Sequence, residues 1–212
     1  MGRIADLTHT LRTGLTVYPG TQPPVIEEAC SVEKDGFSER QIIMFSHTGT
    51  HLDVPAHIFP NGDSLSGISA DHFYGTALKL TISHGKEISI HFIEERIQLL
   101  GKPDFIIFAT GWDKFWNSEK YFSDFPLPPS EIFEYLGNSI IKGIGIDAIS
   151  IDLIENTKLQ NHQLILSKGK IIVENLTELW QLPDDSLFDF YCFPLKIQDG
   201  DGSPVRAVAK IN

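Results

Sequence analysis

The chain has 212 residues, 42% hydrophobic and 21% charged, which is ordinary for a folded domain with a sizeable core. Its formal net charge of −11 argues against nucleic acid as a partner, and no basic run or glycine-rich phosphate loop offsets it. No stretch approaches the ~20 apolar residues of a membrane span, MGRIADLTHT lacks a signal-like apolar core, and Cys30 and Cys192 form no CxxC pair, so a cytoplasmic protein with free thiols is expected.

In chain order, Ile4 to Leu11 reads as a first strand, and Leu15 to Pro24, with Tyr18-Pro19-Gly20 and Pro23-Pro24, as a loop. Val25 to Val32 and Glu39 to Phe45 read as strands, the second running into a histidine-rich segment. Phe59 to Ser69 has loop chemistry, and Thr76 to Ser83 alternates as a strand does. Ser89 to Leu100 has helical spacing with Gly101 as its stop, and Phe105 to Ala109 is a continuous apolar run typical of a strand buried on both faces. Ser130 is read as the N-cap of a helix ending at Gly137. A strand at Ile140 to Ile146, a helix at Lys158 to Ser167 and a short strand at Ile171 to Val173 that delivers Glu174 follow. Phe188 to Ile197 and Val205 to Ile211 read as a closing pair of strands around the turn Asp199-Gly200-Asp201-Gly202. Strands and helices without a strict βαβ rhythm imply a single α/β or α+β domain over residues 1–212, built on a mixed or largely antiparallel sheet.

The segment with the most chemistry is His47-Thr48-Gly49-Thr50-His51-Leu52-Asp53-Val54-Pro55-Ala56-His57. Imidazole and carboxylate are the donors that zinc and related divalent ions accept. Gly49, the β-branched Thr48 and Thr50, and Pro55 disfavour a helix. If the segment is extended, the odd positions share a face, so His47, His51 and Asp53 can meet one ion, with His57 beyond them. Thr48 occupies the place where a helical HExxH motif has glutamate, which excludes that motif. His9, His72, His84 and His91 read as ordinary structural or surface histidines. A three-ligand set leaves positions open for water or substrate. By spacing alone, His162 and Glu174 carry little weight.

The chain resembles the bacterial kynurenine formamidase/cyclase family of metal-dependent hydrolases. The resemblance rests on H-x-G-T-H-x-D-x-P-x-H at His47–His57, Tyr18-Pro19-Gly20, Thr110-Gly111-Trp112, Gly145 to Asp152, Glu174-Asn175-Leu176 and Gly202 to Ala207. It implies a compact β/α domain with a central barrel-like sheet flanked by helices, assembled as a homodimer or homotetramer. It also implies one or two divalent ions, zinc first and manganese as the alternative. His47, His51 and Asp53 match first-metal ligands, Asp53 and Glu174 bridging carboxylates, and His162 a second-metal ligand. His57 matches the residue that moves protons, and Tyr18 supplies a ring for stacking a small-molecule substrate. The implied reaction is hydrolysis of an aryl formamide resembling N-formylkynurenine, with an isatin-like lactam as the alternative substrate. A metal-binding protein without catalysis is the rival from another class. Tyr18 and Thr21 stand where members active on formylkynurenine commonly have Trp and Asp. Phe59, Trp112 and Arg206 stay open between pocket and structural roles.

Overall fold

The apolar run at 105–109 lies in the middle of one large sheet. A computed structural model of the chain describes residues 2–82 and 88–211; Ser83 and His84 lie outside these. The strands are β1 (Arg3–Asp6), β2 (Val25–Cys30), β3 (Glu39–Ile43), β4 (His51–Asp53), β5 (Tyr74–Thr81), β6 (Phe105–Ala109), β7 (Gly143–Ile146), β8 (Ile171–Glu174), β9 (Phe188–Tyr191), β10 (Gly202–Pro204) and β11 (Val208–Ile211). The α-helices are α1 (Val32–Asp35), α2 (Ile90–Leu100), α3 (Ser130–Gly137) and α4 (Gln160–Leu166).

The large sheet has nine strands in the order β1-β11-β9-β5-β6-β7-β8-β4-β10, while β2 and β3 pair only with each other. Strands β5 to β8 run parallel; the remaining neighbours are antiparallel. The sheet is therefore mixed and largely antiparallel, as its sequence implies. It also curls. Thr8 bridges Leu176, and the Thr177 amide donates to the Leu7 carbonyl at 3.1 Å, so the exit of β1 returns to the end of β8. The result is a half-barrel.

Curling gives β6 two buried faces. Ile106 and Phe108 pack with Ile144, Ile146, Phe133 and Ile165 under α3 and α4. Phe105 and Ile107 point the other way, to Leu52, Val173, Phe190 and Ala209 inside the curl. Alternation along a strand buried on both sides accounts for the unbroken apolar run. Among the described residues no helix is long and apolar enough to cross a membrane.

Some boundaries differ from the sequence reading. The strand expected at 25–32 stops at Cys30 and α1 follows it. Ser130 is the first residue of α3, not its cap; Pro129 holds the cap position. The 199–202 turn leads into β10, which crosses to pair with β4 (Ser203 opposite Leu52) at the far edge of the sheet. β9 and β11 do pair, as expected.

Candidate metal centre

The histidine segment is not one extended strand, and this corrects the simple odd-face geometry. Only His51–Asp53 is β-strand; Gly49 has φ +66 and Pro55–His57 is a 3₁₀ turn. A side chain at Gly49 would be strained at that φ and its Cβ would sit 3.0 Å from Leu11 and 3.1 Å from Leu15. The convergence comes instead from strand register and folded-back turns. His51 and Asp53, two apart on β4, share a face. His51 lies directly opposite Glu174 on β8, and opposed residues of an antiparallel pair bring their side chains together.

The structure gathers all the metal-ligand candidates. His51 Nε2 is 3.4 Å from Asp53 Oδ1 and 3.6 Å from Glu174 Oε2. His162 Nε2, from α4, is 3.5 Å from Asp53 Oδ2 and 3.4 Å from Glu174 Oε1. His47 Nδ1 is 2.7 Å from Asp53 Oδ1. Two candidate donor groups, His47/Asp53/His57 and His51/Asp53/Glu174, share Asp53, as a bridging carboxylate would. The ring of His57 lies 4.0 Å from that of His47.

Each converging imidazole is held from behind through its other nitrogen. His51 Nδ1 donates to the Gly49 carbonyl at 2.8 Å. His162 Nδ1 meets Asp152 Oδ2 at 2.8 Å, and Asp152 also accepts the amides of Asn161 and His162 at the start of α4. His47 Nε2 meets Asp201 Oδ2 at 2.9 Å. Such partners fix the tautomer and aim of a ligating ring. Gly202 leaves room for the third of these, because a Cβ there would lie 2.5 Å from His47 Cε1. Asp152, Asp201 and Asn175 escape a reading of the sequence for ligands. Asp201 looks like turn chemistry, and nothing in the spacing ties it to a residue 154 positions earlier.

The electrostatics favour a cation. Asp53 and Glu174 are both buried, and Asp53 Oδ2 has no hydrogen-bond partner among the described residues. Burial alone raises a carboxyl pKa, yet His47, His162 and His51 hold Asp53 well below the usual range. Conversely, burial lowers an imidazole, but Asp53 and Asp201 outweigh it and carry His47 up to about 10. Burial dominates at His57, whose pKa is lowered despite Asp53. A buried carboxylate oxygen that makes no hydrogen bond among the described residues, set among imidazole nitrogens and a second carboxylate, fits a divalent ion.

A cavity of about 360 Å³ opens on this cluster, with Tyr18, Thr21, Ile149, Ile154, Thr157 and Leu159 among its walls. Tyr18 thus faces the same cavity as the histidines. Its hydroxyl pKa is raised by burial first and by Glu174 second. Ile149, Glu174 and Asn175 lie at or beyond the carboxyl ends of parallel strands, where α/β sheets place their ligands. The three open residues are not among the cavity-lining set. Trp112 is buried in the core and donates to the Tyr121 carbonyl at 3.2 Å. Phe59 packs against that core, and Arg206 forms a two-point pair with Asp6 at 3.0 and 2.6 Å. His9 stacks on Trp116, His72 is partly buried, and His91 is exposed beside Glu95. Cys30 and Cys192 are both free.

Comparison with known proteins follows the same outline. An uncharacterized protein of Methanocaldococcus jannaschii is 34% identical over 208 residues, covering 97% of this chain and 98% of that one. The kynurenine formamidase of Bacillus cytotoxicus is 25% identical over 206 residues, covering 97% and 96%. The structure of isatin hydrolase A from Labrenzia aggregata, bound to benzyl benzoate, superposes with a TM-score of 0.86 at 27% identity, covering 99% of this chain and 94% of that one. The Cyclase family model matches residues 5–153. Tyr18, His47, His51, Asp53 and His57 all fall within that match, and the chain belongs to the cyclase family.

Proposed function

We propose that this protein is a metal-dependent hydrolase of a small aryl amide. The observation that carries the proposal is the buried Asp53 Oδ2, without a hydrogen bond among the described residues, with the Nε2 atoms of His51 and His162 and the carboxylate of Glu174 facing the same centre. His47, His51 and Asp53 would hold one ion, and Asp53, His162 and Glu174 a second, with zinc ahead of manganese for this donor set. A bound divalent ion supplies Lewis acidity, polarising an acyl oxygen and acidifying water.

The remaining work falls to the chain's own side chains. His57, beside His47 at the cavity, takes a proton from the attacking water and delivers it to the departing nitrogen, which leaves poorly as an anion. Asp201 Oδ2, 3.6 Å from His57 Nδ1, helps orient the ring. Tyr18 offers a flat face for an aromatic substrate. The walls of Tyr18, Ile149, Ile154 and Leu159 exclude water from the reacting bond.

Between the two candidate substrates the walls favour the lactam. Among the described residues lining the cavity there is no Lys or Arg to pair with the amino-acid carboxylate of N-formylkynurenine, and Arg206 is engaged by Asp6. An isatin-like ring carries no such charge. The test is hydrolysis of both compounds by zinc-loaded and manganese-loaded protein, with His57→Ala alongside. Turnover of isatin with the higher kcat/KM, lowered at least about a hundredfold in His57→Ala with metal content retained, is expected. Loss of metal in that variant would make His57 a ligand, and metal binding without turnover of either compound would favour the non-catalytic reading. Homo-oligomerisation, as a dimer or tetramer, belongs to the same proposal and is supported by the exposed β2–β3 arm.

A further inference from the structure

The side chain of Asn175 follows the candidate ligand Glu174 directly and is almost completely buried, 2% exposed, with φ +55. Its Oδ1 accepts the Tyr121 hydroxyl at 2.8 Å, and its Nδ2 donates to the Gly49 carbonyl at 3.0 Å. The orientation of the amide is fixed by chemistry. Turned over, it would set Oδ1 against the Gly49 carbonyl oxygen, two acceptors facing each other. Burial raises the Tyr121 pKa well above its ordinary value, so the hydroxyl keeps its proton and remains a donor.

The Gly49 carbonyl that Asn175 holds is also the acceptor for His51 Nδ1–H, at 2.8 Å. Gly49 has no side chain to restrain its own peptide. The neighbouring Thr50 hydroxyl is tied to the Asn175 carbonyl at 2.6 Å, and the Asn175 amide to the Ala148 carbonyl at 3.0 Å. A chain of hydrogen bonds thus runs from Tyr121 through Asn175 and Gly49 to His51, ending with the His51 Nε2 lone pair aimed between Asp53 and Glu174.

We propose that Asn175 is a positioning residue for the metal centre, setting the tautomer and aim of His51 through the Gly49 carbonyl, with Tyr121 locking its amide. This rests on the metal-centre reading above. It makes the asparagine after the bridging glutamate part of the ligand apparatus, although it touches no ion.

Cobalt(II) is the probe, because its visible absorption reports ligand geometry as well as occupancy. Asn175→Gly keeps a residue at ease with positive φ and removes the side chain, amide included. Tyr121→Phe removes only the lock and serves if the first variant folds poorly. The expected result is cobalt affinity weakened by about ten- to a hundredfold in Asn175→Gly, and to a lesser degree in Tyr121→Phe, with a changed visible spectrum in each. Wild-type affinity and spectrum in folded variants would overturn the proposal, even if the metal-free proteins melt earlier, because that outcome leaves Asn175 a purely structural role. A wild-type chain that binds no cobalt would overturn the metal-centre reading and this one together.

Discussion

Gly202 leaves the space that the His47 ring fills. A Cβ there would lie 2.5 Å from His47 Cε1 and 2.8 Å from the Leu52 carbonyl oxygen, and the second neighbour is backbone that cannot swing away. Gly202→Ala is therefore expected to displace His47, destabilise the fold by about 1–3 kcal/mol and reduce bound metal. Urea unfolding and metal analysis measure the two effects; an unchanged metal content would detach His47 from the ligand set. At this scale the sequence was informative where donors cluster. His47, His51, Asp53 and His57 announce themselves by residue type and spacing, although their geometry comes from a glycine at positive φ and a 3₁₀ turn rather than from an extended face. Asp152, Asn175 and Asp201 were not legible as site residues, because their role depends on partners that only the fold supplies.

The β2–β3 arm is the element least explained by the described chain itself. Every residue of β3 is exposed, as are Val32, Phe37 and Phe45 nearby, and Ile42 and Ile43 are 51% and 58% exposed. Two strands alone are marginal in water and need a further layer. A second copy of this chain would supply one in the oligomer proposed above. Replacing Ile42 and Ile43 together by Glu is expected to leave the half-barrel folded while shifting the mass seen by light scattering towards the monomer; an unchanged mass would place the oligomer contact elsewhere. Elements with strong local signals were readable in advance. α2 has Ser89 accepting the Phe92 amide and Gly101 at its end, and β6 has its apolar run. β10, three residues of Gly-Ser-Pro, has no intrinsic strand signal and exists because β4 offers it an edge.

Across the whole molecule, the candidate metal centre draws on β4, β8, α4 and the turn before β10, which adjoin in the fold but lie far apart in the sequence, so an ion held there would tie together segments from positions 47 to 201. An ion that binds only the folded chain stabilises it by about 2.7 kcal/mol at a hundredfold excess over its Kd. For a chain of this size that corresponds to a melting temperature about 5–10 °C lower after chelation, restored by adding zinc. Calorimetry with and without chelator measures this, and coincident melting curves would argue against a tightly bound ion. The class of sheet was legible from the mixture of elements; its curl was not, since the contacts of Thr8 with Leu176 and of Leu7 with Thr177 have no local signature. The pairing of β4 with β10 also sets an order of events during synthesis. The histidine cluster leaves the ribosome first, but His51 must wait for Glu174, and His47 for Asp201, before either has its neighbours. Until then a nascent chain carries β4 with neither flanking strand, so the proposed ion would find its donors in their final geometry only once Glu174, and with it β8, has emerged, and the aim of His47 fixed only once Asp201 has followed.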